Sequence, residues 1–223
     1  MIQNRSFLVD CWDGTDDEPM IYHGWTLTSK ILFKDVVEEA IKPYAFFRSE
    51  YPLILSIENH CSVKQQDKMA AHLKDILGDM LYSGPPDPNR KELPSPQSLV
   101  GKVLIKAPKT PNDDWESVED LEDVKKPKKP KKISEKLSQL VNYIEPVHFQ
   151  HFNQAESKYY HMSSFGEAKA VQLMKNEETA RDFVKYNCRQ ISRIYPGAKR
   201  TDSSNLKVIQ PWNTGCQMGN RFI

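Results

Sequence analysis

Apolar positions in the first half of the chain alternate between short unbroken runs and helical stripes. Ser6 to Trp12, with Phe7, Leu8 and Val9 at its centre, reads as a short buried strand that delivers Asp10 near its end, and Asp13-Gly14 follows as a turn pair. Met20-Ile21-Tyr22 reads as a second short strand leading into His23 and Gly24. From Phe33 to Phe47 the residues Val36, Val37, Ala40, Ile41 and Tyr44 recur at helical spacing, and Pro43 should disturb that helix near its end. Tyr51 to Glu58 is apolar on both faces, as a parallel strand covered by helices would be. Ser62 with Gln65 has the form of a capping box. The helix behind it carries a stripe of Met69, Ala70, Leu73, Ile76, Leu77 and Met80 that reads as packing. A Pro-rich loop from Gly84 to Pro96 leads to the buried strand Lys102 to Lys106. Strand, helix and strand at these spacings predict right-handed βα units around a parallel sheet.

The pattern then changes. Between Asp113 and Asp123 there are seven acidic residues, and between Lys125 and Lys132 six lysines with Pro127 and Pro130. Such a segment cannot form a core and reads as a disordered linker. Its lysines could touch anionic lipid or neutralise the acidic run beside them. Periodicity resumes with an amphipathic helix expected over Ile133 to Ile144 (Leu137, Leu140, Val141, Ile144). A strand is expected near Lys158 to Ser164, helices over Gly166 to Asn176 and Glu178 to Gln190, and a strand over Ser192 to Pro196. Arg200 to Asn205 is a polar loop.

At 223 residues, with 39% hydrophobic and 27% charged residues, the chain can bury a substantial core but not two full enzyme domains. A net charge of +1 gives no global argument for nucleic acid, and none is expected as a partner. Cys11, Cys61, Cys188 and Cys216 lie far apart without a CxxC pair, so neither a disulfide framework nor a zinc ribbon is indicated and a reducing cytosol is the natural compartment. No apolar run reaches about 18 residues, the length a spanning helix needs.

Chemistry gathers at strand ends. Asp10 offers a hard oxygen ligand at the end of one apolar run, and His23 a titratable base at the end of another. Glu58 closes the clearest strand, where a carboxylate is costly without a partner and a metal ion would supply one. Asp16, Asp17 and Glu18 read as a solvated acidic loop. An EF-hand fails on position, with Trp12 or Glu18 falling where ligand or glycine is required. From these residues alone the chain suggests a metal-assisted acid–base site.

Several phrases occur together and in order: Asp-Cys-Trp-Asp-Gly from Asp10, Tyr-His-Gly-x-Thr-x-Thr-Ser-Lys from Tyr22, and Glu-Asn-His-Cys from Glu58. Leu-Pro-Ser-Pro follows from Leu93, Ser-Arg-Ile-Tyr-Pro from Ser192 and Thr-Asp-Ser-Ser-Asn from Thr201. They resemble the X and Y catalytic halves of phosphoinositide-specific phospholipase C over roughly 180 residues, with Leu-Val-Asn-Tyr-Ile and Val-Lys-Tyr-Asn leaning towards the beta subclass. The resemblance implies a distorted (β/α)8 (TIM) barrel with its site at the carboxyl ends of the strands. It implies that residues 1–107 form a partial X half, 108–132 the linker and 133–223 a Y half. It further implies calcium bound by Asp10 and Glu58, and His23 as one of two catalytic histidines. Lys106, Ser164 and Arg193 would hold the inositol phosphates, Tyr195 would pack on the ring, and Trp25, Leu27 and Val171 would form a rim at the bilayer. The implied reaction is hydrolysis of phosphatidylinositol 4,5-bisphosphate to inositol trisphosphate and diacylglycerol in calcium-linked signalling. The implied partners are a phosphoinositide membrane and G-protein- or receptor-linked regulators, with a cytoplasmic, peripherally membrane-associated location.

The sequence departs from that pattern in named places. Leu8 stands where the family has a calcium-ligating glutamate, and Ala107-Pro108 follow Lys106 where a second lysine is usual. The family strand that carries the other histidine and an asparagine ligand would precede Met1, and the last strand is expected to be cut short at Gly219. An incomplete barrel of impaired activity is therefore expected, and a non-catalytic headgroup-binding derivative is the alternative.

Overall fold

The computed structural model describes residues 5–24, 28–109, 132–153, 158–197 and 207–219. Most of the charged linker, the Arg200–Asn205 loop, Trp25 and Leu27 lie outside them.

The first half runs β1 (Ser6–Trp12), β2 (Met20–Ile21) and β3 (Ile31–Leu32). A continuous helical stretch over residues 33–44 then joins α1 (Phe33–Asp35), the π-helical Val36–Ile41 and α2 (Lys42–Tyr44). The wide π turns end as Pro43, which has no N–H to donate, enters the last piece. β4 (Leu53–Asn59), α3 (Val63–Leu77) and β5 (Val103–Lys106) follow. These strands form one sheet in the order β3-β2-β1-β4-β5, with β1, β4 and β5 parallel.

The second half contains α4 (Glu135–Ser138), β6 (Glu145–Val147), β7 (His161–Gly166), α5 (Glu167–Lys175) and α6 (Glu177–Asn187). It closes with β8 (Ile191–Tyr195), α7 (Ile209–Asn213) and β9 (Met218–Gly219). Here β6 to β9 pair in chain order, all parallel. Among the described residues the parallel strands are thus three in one sheet and four in the other, an incomplete barrel of the (β/α)8 type with a two-residue final strand.

Strand alternation sorts side chains into layers. Val9, Cys11, Leu55, Ile57, Val103 and Ile105 point outward and pack with Met69, Leu73 and Leu77 of α3. Phe165 and Ile194 do the same in the second half against Ala170, Phe183 and Tyr186. The opposite parity points inward, where Leu104 and Ile54 of the first sheet meet Met162, Ile191 and Met218 of the second. This shared interior layer holds the sheets together without a ladder between them. Tyr82 and Tyr143 reinforce it, with their hydroxyls 2.7 Å apart, as does the Lys109–Glu145 pair at 3.3 Å. Full burial of a side chain such as Phe183 is worth about 1.5–3 kcal/mol.

Two local expectations fail. The helix expected over 133–144 exists only as the four residues of α4. Leu137, Leu140 and Val141 pack in the outer layer while Tyr143 and Ile144 enter the interior, and a straight helix could not cross between them. The capping box does not form. Asp13 Oδ1 accepts from Ser62 N (2.9 Å) and Ser62 Oγ (3.0 Å). Gln65 instead pairs with the Gly14 backbone, accepting from its N–H at 3.0 Å and donating to its carbonyl at 2.9 Å. The β1–β2 turn therefore caps α3 from outside the helix, and the Asp10 loop is fastened to it.

The cysteines are free thiols, of which Cys11, Cys61 and Cys216 are buried. Burial pushes the Cys61 thiol up to about 12, with Asp13 and Asp10 adding to the shift, so it is an inert core group. No described helix is long and apolar enough to cross a membrane.

Candidate functional site: the mouth of the two sheets

β1 and β4 run parallel with Asp10 directly opposite Glu58. Both side chains belong to the inward parity, so adjacent strands place two carboxylates side by side. His60 lies two residues beyond Glu58 on the same face. Its Nε2 is 3.3 Å from Asp10 Oδ1 and 3.5 Å from Glu58 Oε1. The imidazole is stacked on Trp12 (centroids 4.0 Å apart, planes 12° apart), and Trp12 in turn on Tyr22 at 5.6 Å. Sequence reasoning passed over His60. The signal was its i+2 spacing from Glu58, which puts both on one face wherever the chain stays extended.

The Asp10 carboxylate is oriented by the loop after β2. Its Oδ2 accepts from Gly24 N at 3.3 Å. Oδ1 is shielded from solvent and accepts no hydrogen bond from the protein. Gly24 must be glycine, because a Cβ there would lie 2.2 Å from the Trp12 ring. His23, just before it, is exposed at the mouth. The Tyr22 N–H donates to the Asp10 carbonyl at 3.2 Å, so the expected base and the expected ligand are tied through backbone.

The remaining expected residues arrive from other strands. Lys106 ends β5, buried, opposite Ser56 of β4. Ser56 Oγ is buried without a hydrogen-bond partner. On the second sheet Ser164 pairs in register with Arg193, and Gly166 with Tyr195, two residues nearer the mouth. Burial holds the Arg193 guanidinium below its ordinary value, opposed by the Glu58 and Tyr195 charges. Glu58 thus acts on Arg193 across the interior. Val171 is exposed on α5.

The mouth therefore carries two carboxylates and an imidazole on one wall and a guanidinium, a hydroxyl and a phenol on the other, with a lysine between. Residues 3–109 match the family described as phosphatidylinositol-specific phospholipase C, X domain, and residues 137–220 its Y domain. The chain belongs to this family. It is 42% identical to human 1-phosphatidylinositol 4,5-bisphosphate phosphodiesterase delta-1 over 96% of its own length and 31% of that protein's. It is likewise 42% identical to mouse inactive phospholipase C-like protein 2, over 96% of the chain and 21% of that protein. Among solved structures it resembles PLC21 of S. officinalis (43% identity, TM-score 0.80) and of L. pealei (41%, 0.79), covering 96% of this chain and 28% of each of theirs. The chain thus spans about a third of the delta-1 relative, and both neighbours carry the same barrel.

Proposed function

We propose that the chain is the catalytic core of a phosphoinositide phospholipase C. It would hydrolyse phosphatidylinositol 4,5-bisphosphate to inositol trisphosphate and diacylglycerol at a peripheral membrane surface in the cytoplasm, within calcium-linked signalling under G-protein or receptor control. Residues 1–107 and 133–223 serve as its X and Y halves and 108–132 as their linker. The observation that carries the reading is the placement of opposite charges on inward strand positions, with the Asp10–Glu58 pair in register on one sheet and Arg193 beside Ser164 on the other.

The residues suit the reaction. Lys106 and Arg193 are fixed cations for ring phosphates, and the orphaned Ser56 hydroxyl beside Lys106 offers one more polar contact. Ser164 adds a donor next to Arg193, and Tyr195 offers a flat face to the inositol ring. The inositol 2-hydroxyl attacks phosphorus as diacylglycerol leaves; His23, exposed at the mouth, moves the proton between these two oxygens, and water then opens the cyclic phosphate to inositol trisphosphate. Contact with the bilayer is assigned to Val171, exposed on α5, and by the family likeness to Trp25 and Leu27.

Calcium would be held by Asp10 and Glu58, and when bound it supplies Lewis-acid stabilisation of charge at phosphorus. The fit is partial. Calcium takes roughly six to eight oxygens, whereas the described residues here give two carboxylates and a nitrogen, and the inward neighbour of Asp10 along β1 is the aliphatic Leu8. Slow hydrolysis is the expected result.

The test is calcium-dependent release of inositol trisphosphate from vesicles containing phosphatidylinositol 4,5-bisphosphate. Slow release that falls about 100-fold in His23→Ala supports the reading. Release no higher than that of His23→Ala overturns it. The second reading, a headgroup-binding derivative, draws on Leu8 and on the likeness to an inactive relative. It requires inositol trisphosphate binding that Arg193→Ala removes.

A further inference from the structure

We propose that Asp10, Glu58 and His60 form a site for a transition-metal dication of the zinc class, which competes with calcium for the same two carboxylates. One ligand atom from each of the three residues lies within 4.8 Å of the others. The imidazole nitrogen sits 3.3 and 3.5 Å from the two carboxylate oxygens. Bonds of about 2.1 Å to a tetrahedral ion place neighbouring ligand atoms roughly 3.4 Å apart. Two of the three separations are therefore already those of a tetrahedral site, and the third, between the carboxylates, lies within 4.8 Å.

Two further observations point to a cation here. Asp10 Oδ1 is buried and accepts no hydrogen bond, while its partner oxygen is satisfied by Gly24 N–H; the oxygen that faces His60 is the one left for a ligand. The imidazole is also held in place, stacked at 4.0 Å on Trp12, whose position in turn requires the missing side chain of Gly24. A preorganised ring loses little freedom when its nitrogen binds a metal.

The donor set then decides the metal class. Calcium is bound through oxygen, whereas imidazole suits zinc and its first-row neighbours. Two carboxylates and one imidazole satisfy zinc with at least one position left open, in which an oxygen of an anionic ligand would fit. Bound zinc would occupy both carboxylates that calcium needs.

Binding to the full chain tests this, with no recourse to hydrolysis. ZnCl2, CaCl2 and CoCl2 are titrated by calorimetry and thermal denaturation, and cobalt is also followed by its visible d–d absorption. The background is Cys188→Ser, which removes the exposed thiol. The expected result is one zinc site at least 10-fold tighter than calcium. Cobalt absorption should be displaced by zinc, and zinc affinity should fall 10-fold or more in both His60→Ala and His60→Gln while the response to calcium persists. Asp10→Asn should weaken both metals. Folding of each variant is checked by its melting transition in chelator, and if one His60 variant fails to fold, the other decides. Calcium binding as tight as zinc, or zinc and cobalt binding unaltered in a folded His60 variant, overturns the proposal. Absence of hydrolysis would count against the proposed function and leave this result untouched.

Discussion

The two sheets are built alike and differ in the charge they bring to the mouth. Each stacks parallel strands under helices, with branched and aromatic side chains outward and a few inward residues left for the interior. The first sheet brings Asp10 and Glu58 to the mouth, and the second brings Arg193, Ser164 and Tyr195. Neither wall is a site by itself. A carboxylate pair facing only solvent is an acidic patch, and a buried arginine without a counter-charge is a liability. The shared interior layer of Ile54, Leu104, Met162 and Ile191 lies below, and Met218 joins it at the level of Arg193. Stability and electrostatics are thus stacked along the barrel axis, apolar beneath and charged above.

The comparison breaks most severely through the core. Phe183→Ala in the second half and Leu55→Ala in the first, both fully buried, should cost about 3–5 and 2–5 kcal/mol respectively, measured by urea denaturation. If the halves fold as one unit, either variant shifts a single transition; two separated transitions would show that the interior layer does not couple them. Met162→Ala and Leu104→Ala test that coupling directly. In a double-mutant cycle they should be non-additive by about 0.5–3 kcal/mol, and strict additivity would sink the idea of a shared layer.

A smaller effect is expected at the mouth. Arg193→Ala should weaken inositol trisphosphate binding by roughly 10- to 100-fold, the worth of a hydrogen-bonded charge at about 1.5–3 kcal/mol, read by calorimetry. An unchanged dissociation constant would remove Arg193 from the binding wall.

His161, at the opposite end of β7 from the mouth, gives a pH prediction. Burial lowers its pKa to about 4 from 6.5, against the opposing pull of Glu145. Both ring nitrogens are buried without a hydrogen-bond partner. The folded state therefore prefers the neutral ring, and the unfolded state takes up the proton first. Stability is full above pH 6.5 and declines as pH falls towards 4, by about 1–3 kcal/mol once partial solvent screening is allowed for. His161→Phe should flatten that part of the stability–pH curve; an unaltered slope between pH 6.5 and 4 would place the acid sensitivity elsewhere. The smallest effect belongs to the exposed Arg181–Glu177 pair on α6. Arg181→Ala should change stability by no more than about 0.5 kcal/mol, and a larger loss in the same denaturation series would contradict its solvated character.

Much of this was readable from the chain. β1, β4, β5, α3, α5, α6 and β8 lie close to where apolar runs and stripes put them, because each is long enough to bury a face by its own pattern. β6 and α7 went unread, being three and five residues long and carrying no period; the short β9 was expected only through the family resemblance. The overlong helix after Ile133 shows the limit in the other direction. Leu137, Leu140, Val141 and Ile144 have helical spacing, but the spacing serves two cores and not one helix face. Asp10 and Glu58 were legible from the residues, since charge at the end of an apolar run is costly and therefore conspicuous, whereas Lys106, Ser164 and Arg193 were named only through the family resemblance. His60 was not, since nothing local separates it from any other histidine in a loop.

Alternation along the chain and the cost of burying charge were enough to specify the parallel strands, their outward cores and the carboxylates near the ends of β1 and β4. Only the tertiary structure decided that Asp10 faces Glu58, that Asp13 caps α3, that Arg193 lies in the field of a carboxylate on the other sheet, and that His60 turns back onto Trp12 between the acids. Register and stacking join residues tens of positions apart, and no local pattern encodes which strand becomes the neighbour of which.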